Sequence, residues 1–342
     1  MNKTTTIMFT SPCVTELREE SLPALTDFDV LVELAVSTIS SGTERANLLG
    51  DKNVSSDTDA DIPYPRVCGY SSAGTVLQVG KKVSSVKPGD RVALSWSTHS
   101  KYVVMAEENV HKILDDNICF SEAALWMIGT FPLAAIRKCA LEIGESAIVM
   151  GLGVLGLMGV KLLRAAGAAP IIAVDPVAEK RAYALKIGAD YAFDPFDEDF
   201  SKKVKEVTGG GVNVALEVTG IGAGLEGVLD CMAPFGRVAL LGCTRDKDFT
   251  IDYYRKVHRP GIALIGAHTK ARPVLESSKG LWTTHDDIMA LQRLSRLGRL
   301  DFASMVEEKH PPQNAPEVYQ RLITEKAFPL IQFDWSQLPS ND

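Results

Sequence analysis

The chain has 342 residues, 46% of them hydrophobic and 23% charged, enough for two cores of ordinary size without disulfides or metal staples. The formal net charge is −7 and no run of Lys and Arg exceeds two residues, which argues against a basic face for nucleic acid. Met1 to Thr6 is polar with no apolar core of signal-peptide length behind it. The longest apolar stretch, Ala147 to Val160, holds four glycines and is too short to span a bilayer, so the expectation is a cytoplasmic protein with no membrane partner. The six cysteines (Cys13, Cys68, Cys119, Cys139, Cys231 and Cys243) include no C-x-x-C pair and read as small hydrophobes in a reducing compartment.

In chain order, the first third is β-rich. Strand-like runs occur at Val30 to Val36, Gly74 to Val79, the end of Val83 to Leu94, and Tyr102 to Met105. Asn47 to Pro65 is polar and Asp/Ser-rich and reads as a surface loop. Ser121 is a good N-cap for a helical pattern that runs to Leu141. Strands and helices then alternate. Strands are expected at Ala147–Met150, Ile171–Val174, Tyr191–Phe193, Val212–Val218, Val238–Leu241 and Ile262–Ile265. Helices are expected at Leu155–Ala166, Ala178–Ile187, Phe200–Val207 and Leu225–Met232. That rhythm predicts parallel βαβ units with right-handed crossovers, hence a doubly wound sheet. Beyond Gly266 the pattern is mixed, with helices at Thr283–Leu297 and Val318–Thr324 and a closing strand at Leu330–Phe333. A domain built from both chain ends, residues 1–120 completed by 267–342, would flank a dinucleotide-binding domain of residues 121–266.

Gly151-Leu-Gly153-Val154-Leu155-Gly156 is a G-x-G-x-x-G between a strand and a helix. Gly151 permits the tight turn, Gly153 lets a pyrophosphate approach the backbone, and Gly156 lets helix and strand pack closely. Val154 and Leu155 open the helix whose N-terminus favours the anion. Asp175 closes the next strand, nineteen residues after Gly156. A carboxylate there accepts from both ribose hydroxyls and repels a 2′-phosphate, which predicts NAD(H), with NADP(H) as the alternative. The competing reading has Asp175 only capping the following helix through Pro176.

The whole chain resembles the medium-chain dehydrogenase/reductase superfamily. The matching stretches are Ser41-Gly-Thr-Glu44, Pro65 to Gly74, Lys87 to Val92, the glycine fingerprint and Glu217-Val-Thr-Gly220. The first two are most similar to the bacteriochlorophyllide dehydrogenase-like subgroup. The resemblance implies an α/β chain: a GroES-like, β-rich catalytic domain plus a Rossmann domain with a doubly wound parallel sheet. It also implies a homodimer paired near Ile262 to Ile265. By the same resemblance Thr219, Gly242 and Cys243 lie against the nicotinamide ribose and ring.

Zinc-type members carry ligands where this chain has Ser41, Tyr70 with Ser71, and approximately Trp126. A hydroxyl, a phenol and an indole do not replace thiolate and imidazole, so no zinc is expected. A carbonyl then needs another donor. Tyr70 and His99 are candidates for general acid/base, and Thr43 matches the family's relay hydroxyl, although Ala46 stands where that relay ends. Glu44 would orient Tyr70 or Arg45. The structural alternatives are Tyr70 filling the space of the metal, His99 as a polar wall, Glu44 bonding a backbone turn, and Ser41 and Trp126 lining the substrate pocket. His111, His258, His285 and His310 read as surface residues. The leading expectation is zinc-independent, NAD(H)-linked interconversion of a secondary alcohol and a ketone, on a small polyol or sugar-like substrate. The rivals are NADPH-dependent reduction of an enone or quinone double bond, and nicotinamide binding without catalysis.

Overall fold

The computed structural model describes residues 2–51, 62–243 and 248–338. Residues 52–61, the middle of the expected Asn47 to Pro65 loop, lie outside them. The chain forms two compact units, residues 1–128 with 288–342, and residues 129–287.

The first unit contains β1 (Lys3–Ser11), β2 (Val14–Ser21), β3 (Asp29–Thr38), α1 (Ser41–Leu49), β4 (Arg66–Val67), β5 (Ser71–Val79), β6 (Arg91–Ser95), β7 (Tyr102–Ala106) and β8 (Val110–Lys112). α2 (Phe120–Ala123) follows, and α3 (Trp126–Lys138) begins here and continues into the second unit. One sheet runs β2-β1-β4 and a larger one is built on β3-β5-β6-β8, with β7 also pairing with β3. Alternating burial along β3 turns Val30, Val32 and Leu34 into the core, as period-two patterning requires.

The second unit alternates as its sequence does. It contains β9 (Ala147–Met150), α4 (Val154–Ala166), β10 (Ile171–Val174), α5 (Ala178–Ile187), β11 (Tyr191–Phe193), α6 (Phe200–Thr208), β12 (Val212–Glu217), α7 (Gly222–Cys231), β13 (Met232–Leu240) and β14 (Ala263–Gly266). All six strands are parallel, in the order β11-β10-β9-β12-β13-β14. That is the Rossmann arrangement, with the direction of winding reversing at β9. The central strands β9 and β10 are buried on both faces, which explains their unbroken apolar sequences.

α8 (Thr284–Arg296) returns the chain to the first unit, where β15 (Glu308–His310), α9 (Ala315–Thr324) and β16 (Ile331–Asp334) complete it. β16 pairs with β3 and extends the larger sheet, carrying β15 at its edge. Tyr319, Phe333 and Trp335 enter the same core as Ile7 and Phe9. Among the described residues no helix is long and apolar enough to cross a membrane.

Three local differences from the sequence reading have physical causes. α1 forms where no helix was expected: Ser40 is its N-cap, and the Glu44 carboxylate reaches back to accept from the Ser40 N–H at 2.8 Å. The single helical pattern from Ser121 to Leu141 divides into α2 and α3, and α3 stops before Ala140, whose φ of 45° is left-handed. His111 is buried rather than on the surface, because β8 pairs with β6 and turns its Nε2 to Ser95 Oγ at 3.0 Å.

The C-terminal elements are also tied by charge. Arg321 on α9 holds both carboxylate oxygens of Glu308 on β15, at 2.7 and 2.9 Å. Those bonds push the Glu308 carboxyl down to about 2. A depressed carboxyl contributes stability above its unfolded value and loses it as pH falls toward the folded one. The gap in urea midpoint between the wild type and Glu308→Gln is therefore expected to be full at pH 6 and to narrow below about pH 4.3. A gap that stays constant down to pH 3 would contradict this. Glu308 is about a third exposed, so the gap is modest, below about 1 kcal/mol.

Candidate active site and cofactor site

In the second unit, the strand-to-helix turn after β9 is built as a phosphate cradle. Gly151 takes φ 98° and its N–H donates to Val174 O at 2.8 Å. Gly153 caps α4, and a Cβ there would meet nothing within 4 Å, so the backbone is open to a ligand. Gly156 is the opposite case: a Cβ would lie 1.9 Å from the Gly151 carbonyl oxygen. Val154 and Leu155 supply the first turn of α4, whose N–H groups have no partner within the helix.

Asp175 follows β10 and is buried. One carboxylate oxygen accepts from the Leu152 N–H at 2.8 Å and the other from the Val177 N–H at 2.9 Å. It thus joins the glycine turn to the start of α5, and each oxygen keeps a lone pair for another donor. Glu217, at the end of β12, accepts from both the N–H and the hydroxyl of Thr219. It is a buried group that the sequence reading placed in a matching stretch without giving it a role. Burial pushes its carboxyl up, opposed by those bonds. The Gly242 N–H donates to Glu217 O at 2.9 Å, and Cys243 beside it is exposed.

In the first unit, the sequence candidates fall into two layers. Tyr70 is half-buried, and its phenol donates to Ser40 Oγ at 2.6 Å. The Trp96 ring lies 5.9 Å from it, nearly half exposed, on a backbone with φ 61° whose N–H donates to Tyr70 O. A bulky residue in the left-handed region is a strained placement of the kind found at functional sites. Thr43 is exposed and Ser41 partly so, both on the first turn of α1.

Behind this layer His99 is wholly buried. Its Nδ1 meets Ser37 Oγ at 2.7 Å and its Nε2 meets Glu44 Oε2 at 3.1 Å. Tyr319 donates to the same Glu44 oxygen and lies 3.6 Å from Cys68 Sγ. Burial, and then the Glu44 charge, push the Cys68 thiol well up. Burial likewise raises the Tyr319 phenol, reinforced by Cys68 and Glu44. Glu44, Cys68 and His99 each offer one ligand atom, all within 4.8 Å of one another. Trp126 is completely buried inside the unit, its indole N–H 3.4 Å from Glu122 Oε1.

The structure therefore brings Tyr70 to Ser40, and His99 to Glu44, with Ser40 bonded to both groups. Ser40, Cys68, Trp96 and Tyr319 were not among the sequence candidates. Cys68 carried one signal, standing two residues before Tyr70; Tyr319 lies in an amphipathic helix where it reads as core.

Two family models match. "Alcohol dehydrogenase GroES-like domain" covers residues 29–132 and "Zinc-binding dehydrogenase" covers 154–277. An L-threonine 3-dehydrogenase of Pyrococcus abyssi is 28% identical over 340 residues, 90% of this chain and 92% of that protein. A (R,R)-butanediol dehydrogenase of Bacillus subtilis is 33% identical over 183 residues, 46% of this chain and 53% of that one. The solved 2R,3R-butanediol dehydrogenase of Bacillus subtilis superposes with a TM-score of 0.80 at 23% identity, covering 97% and 99% of the two chains.

These findings correct one expectation. The absence of zinc, argued from Ser41, Tyr70 and Trp126, is overturned by the match to a zinc-binding dehydrogenase model and by the Glu44, Cys68 and His99 cluster. Carboxylate, thiol and imidazole are zinc donors in type, and they come together away from the positions that were considered.

Proposed function

The chain belongs to the medium-chain, zinc-type alcohol dehydrogenase-like superfamily, and from that membership we propose that it interconverts a secondary alcohol and its ketone with NAD(H). Threonine and butanediol, the compounds named for two relatives, each bear a secondary hydroxyl beside a second polar group. A small polyol or sugar-like substrate is the reading this supports. The observation that carries the chemistry is the half-buried Tyr70 phenol aimed at Ser40 Oγ at 2.6 Å.

In oxidation, the substrate hydroxyl gives its proton to the Tyr70 oxygen as the Tyr70 proton moves to Ser40 Oγ, which gives up its own hydroxyl proton to water. In reduction the same path runs backwards, and Tyr70 protonates the oxygen of the carbonyl. Glu44 holds Ser40 in place through the backbone N–H, and His99 fixes the other Glu44 oxygen. Those two are positioning residues. Trp96, exposed beside Tyr70, offers a flat apolar surface against the substrate carbon skeleton. Bound NAD(H) supplies the hydride acceptor or donor, held by the glycine turn and by Asp175. A zinc ion would be held by Glu44, Cys68 and His99, and would supply positive charge beside the carboxylate that holds Ser40.

The last strand of the parallel sheet, β14, exposes Ala263 and Leu264. That exposed edge supports the reading that a second copy pairs there to form a homodimer.

The test is nicotinamide absorbance with NAD+ or NADP+ against diols, polyols and sugars, and with the reduced cofactors against ketones and enones. Turnover of secondary alcohols is expected, with NAD+ favoured over NADP+ by about tenfold or more. Asp175→Ser is expected to shrink that ratio, since the carboxylate is what rejects a 2′-phosphate. Activity confined to enones with NADPH would refute the proposal.

A further inference from the structure

The turn that follows β12 is held from within by Glu217. This residue is 3% exposed, and among the described residues its carboxylate meets donors only. They are the Thr219 N–H at 2.8 Å, the Thr219 hydroxyl, and the Gly220 N–H, 3.2 Å from both oxygens. We propose that Glu217 is a positioning residue for the nicotinamide half of the cofactor, acting through the turn at residues 218–220 and the Thr219 hydroxyl.

The place of the turn comes from the sheet. In the order β11-β10-β9-β12-β13-β14, Asp175 follows β10 on one side of β9, and Glu217 ends β12 on the other. A dinucleotide with its pyrophosphate on the glycine turn after β9 and its adenosine ribose at Asp175 therefore sends its other half over β12 and β13. That half is the nicotinamide nucleoside, so the proposal rests on the NAD(H) reading above.

The turn is packed there at backbone contact. A Cβ on Gly151 would lie 3.0 Å from Thr219 Cγ2 and 3.4 Å from the Thr219 backbone nitrogen. One on Gly242 would lie 2.4 Å from the Gly220 nitrogen. The Val218 N–H donates to Met150 O at 2.9 Å, and the Glu217 carbonyl accepts from the Leu241 and Gly242 N–H groups, each at 2.9 Å. Residues 217 and 218 thus join the carboxyl ends of β9, β12 and β13. Without the carboxylate, two turn N–H groups and the Thr219 hydroxyl lose the acceptor that fixes them.

Polarity follows from the same bonds. A carboxylate only accepts, so the Thr219 hydroxyl proton is committed inward. The Thr219 oxygen also accepts from the Ile221 N–H at 3.3 Å, which leaves one lone pair on a half-buried side chain. Thr219 therefore meets the cofactor as an acceptor. The nicotinamide half carries matching donors in its ribose hydroxyls and its carboxamide N–H groups.

The experiment is calorimetric titration of the full chain with NADH and with ADP, which has the adenosine and pyrophosphate but no nicotinamide half. Thr219→Val should weaken NADH binding about fivefold to tenfold, the loss expected for one hydrogen bond, and leave ADP within about twofold. Thr219→Ser keeps the hydroxyl and should restore NADH binding. Glu217→Leu should weaken NADH more than Thr219→Val does, again with ADP held. Glu217→Gln keeps one acceptor oxygen and should fall between Glu217→Leu and the wild type. If the Glu217 variants do not fold, the two Thr219 variants decide. Equal weakening of NADH and ADP would reduce Glu217 to a support of the fold and overturn the proposal, as would unchanged NADH binding by Thr219→Val. A wild type that binds neither ligand would remove the NAD(H) reading, and the proposal with it.

Discussion

Gly156→Ala is expected to abolish measurable NADH binding and to lower thermal stability together. A Cβ at this position would lie 1.9 Å from the Gly151 carbonyl oxygen, far inside any real contact, and that atom is backbone. Relief requires α4 to move away from β9, which breaks the turn that would hold the pyrophosphate. Overpacking of this kind costs about 1–3 kcal/mol or more. Gly153→Ala is the control. Its Cβ would enter open space, so melting should be unchanged while cofactor affinity drops, since only the ligand's approach is obstructed. Fluorescence titration with NADH and a thermal melt separate the two cases. Normal stability in Gly156→Ala would mean the turn adjusts freely and would defeat this account of the cradle.

Tyr70→Phe is expected to lower kcat by about 10²–10⁴, the range for loss of a positioned acid or base. That corresponds to about 3–5 kcal/mol of barrier. The ring itself remains and still lies against Trp96, so the melting temperature should change little. KM should also hold, because a proton transfer made in the transition state is what is lost. Ser40→Ala should give a smaller fall in kcat, since Tyr70 keeps its hydroxyl but loses the acceptor at 2.6 Å. Full turnover by Tyr70→Phe would remove the phenol from the chemistry.

The two units were unequally legible in the sequence. In the second, the informative relations are local. Gly151, Gly153 and Gly156 lie within six residues, Asp175 ends the next strand, and apolar runs such as Ile171 to Val174 mark strands buried on both faces. In the first unit the important contacts are distant in the chain. Glu44 and Tyr319 are separated by 275 positions, yet the phenol donates to the carboxylate. No local pattern marks Tyr319, whose neighbours Val318 and Leu322 are ordinary core residues of an amphipathic helix. The same limit explains the zinc error. Ligand positions fixed by a sequence motif are a local pattern, whereas coordination needs only that donors converge in space. α1 escaped notice because Gly42 and Thr43 are poor helix formers, and the Glu44-to-Ser40 bond that caps it shows only in three dimensions.

The placement of β16 and Trp335 carries a consequence for biosynthesis. The core formed around Ile7 and Phe9 includes Tyr319, Phe333 and Trp335, so the first unit cannot finish until segments that follow the second unit in sequence have been made. Residues 129–287 form a contiguous unit and can fold as soon as they are released, while residues 36–38 of β3, on the side that β7 leaves open, wait for β16. During that interval the short edge at residues 36–38 is open to pairing with other chains.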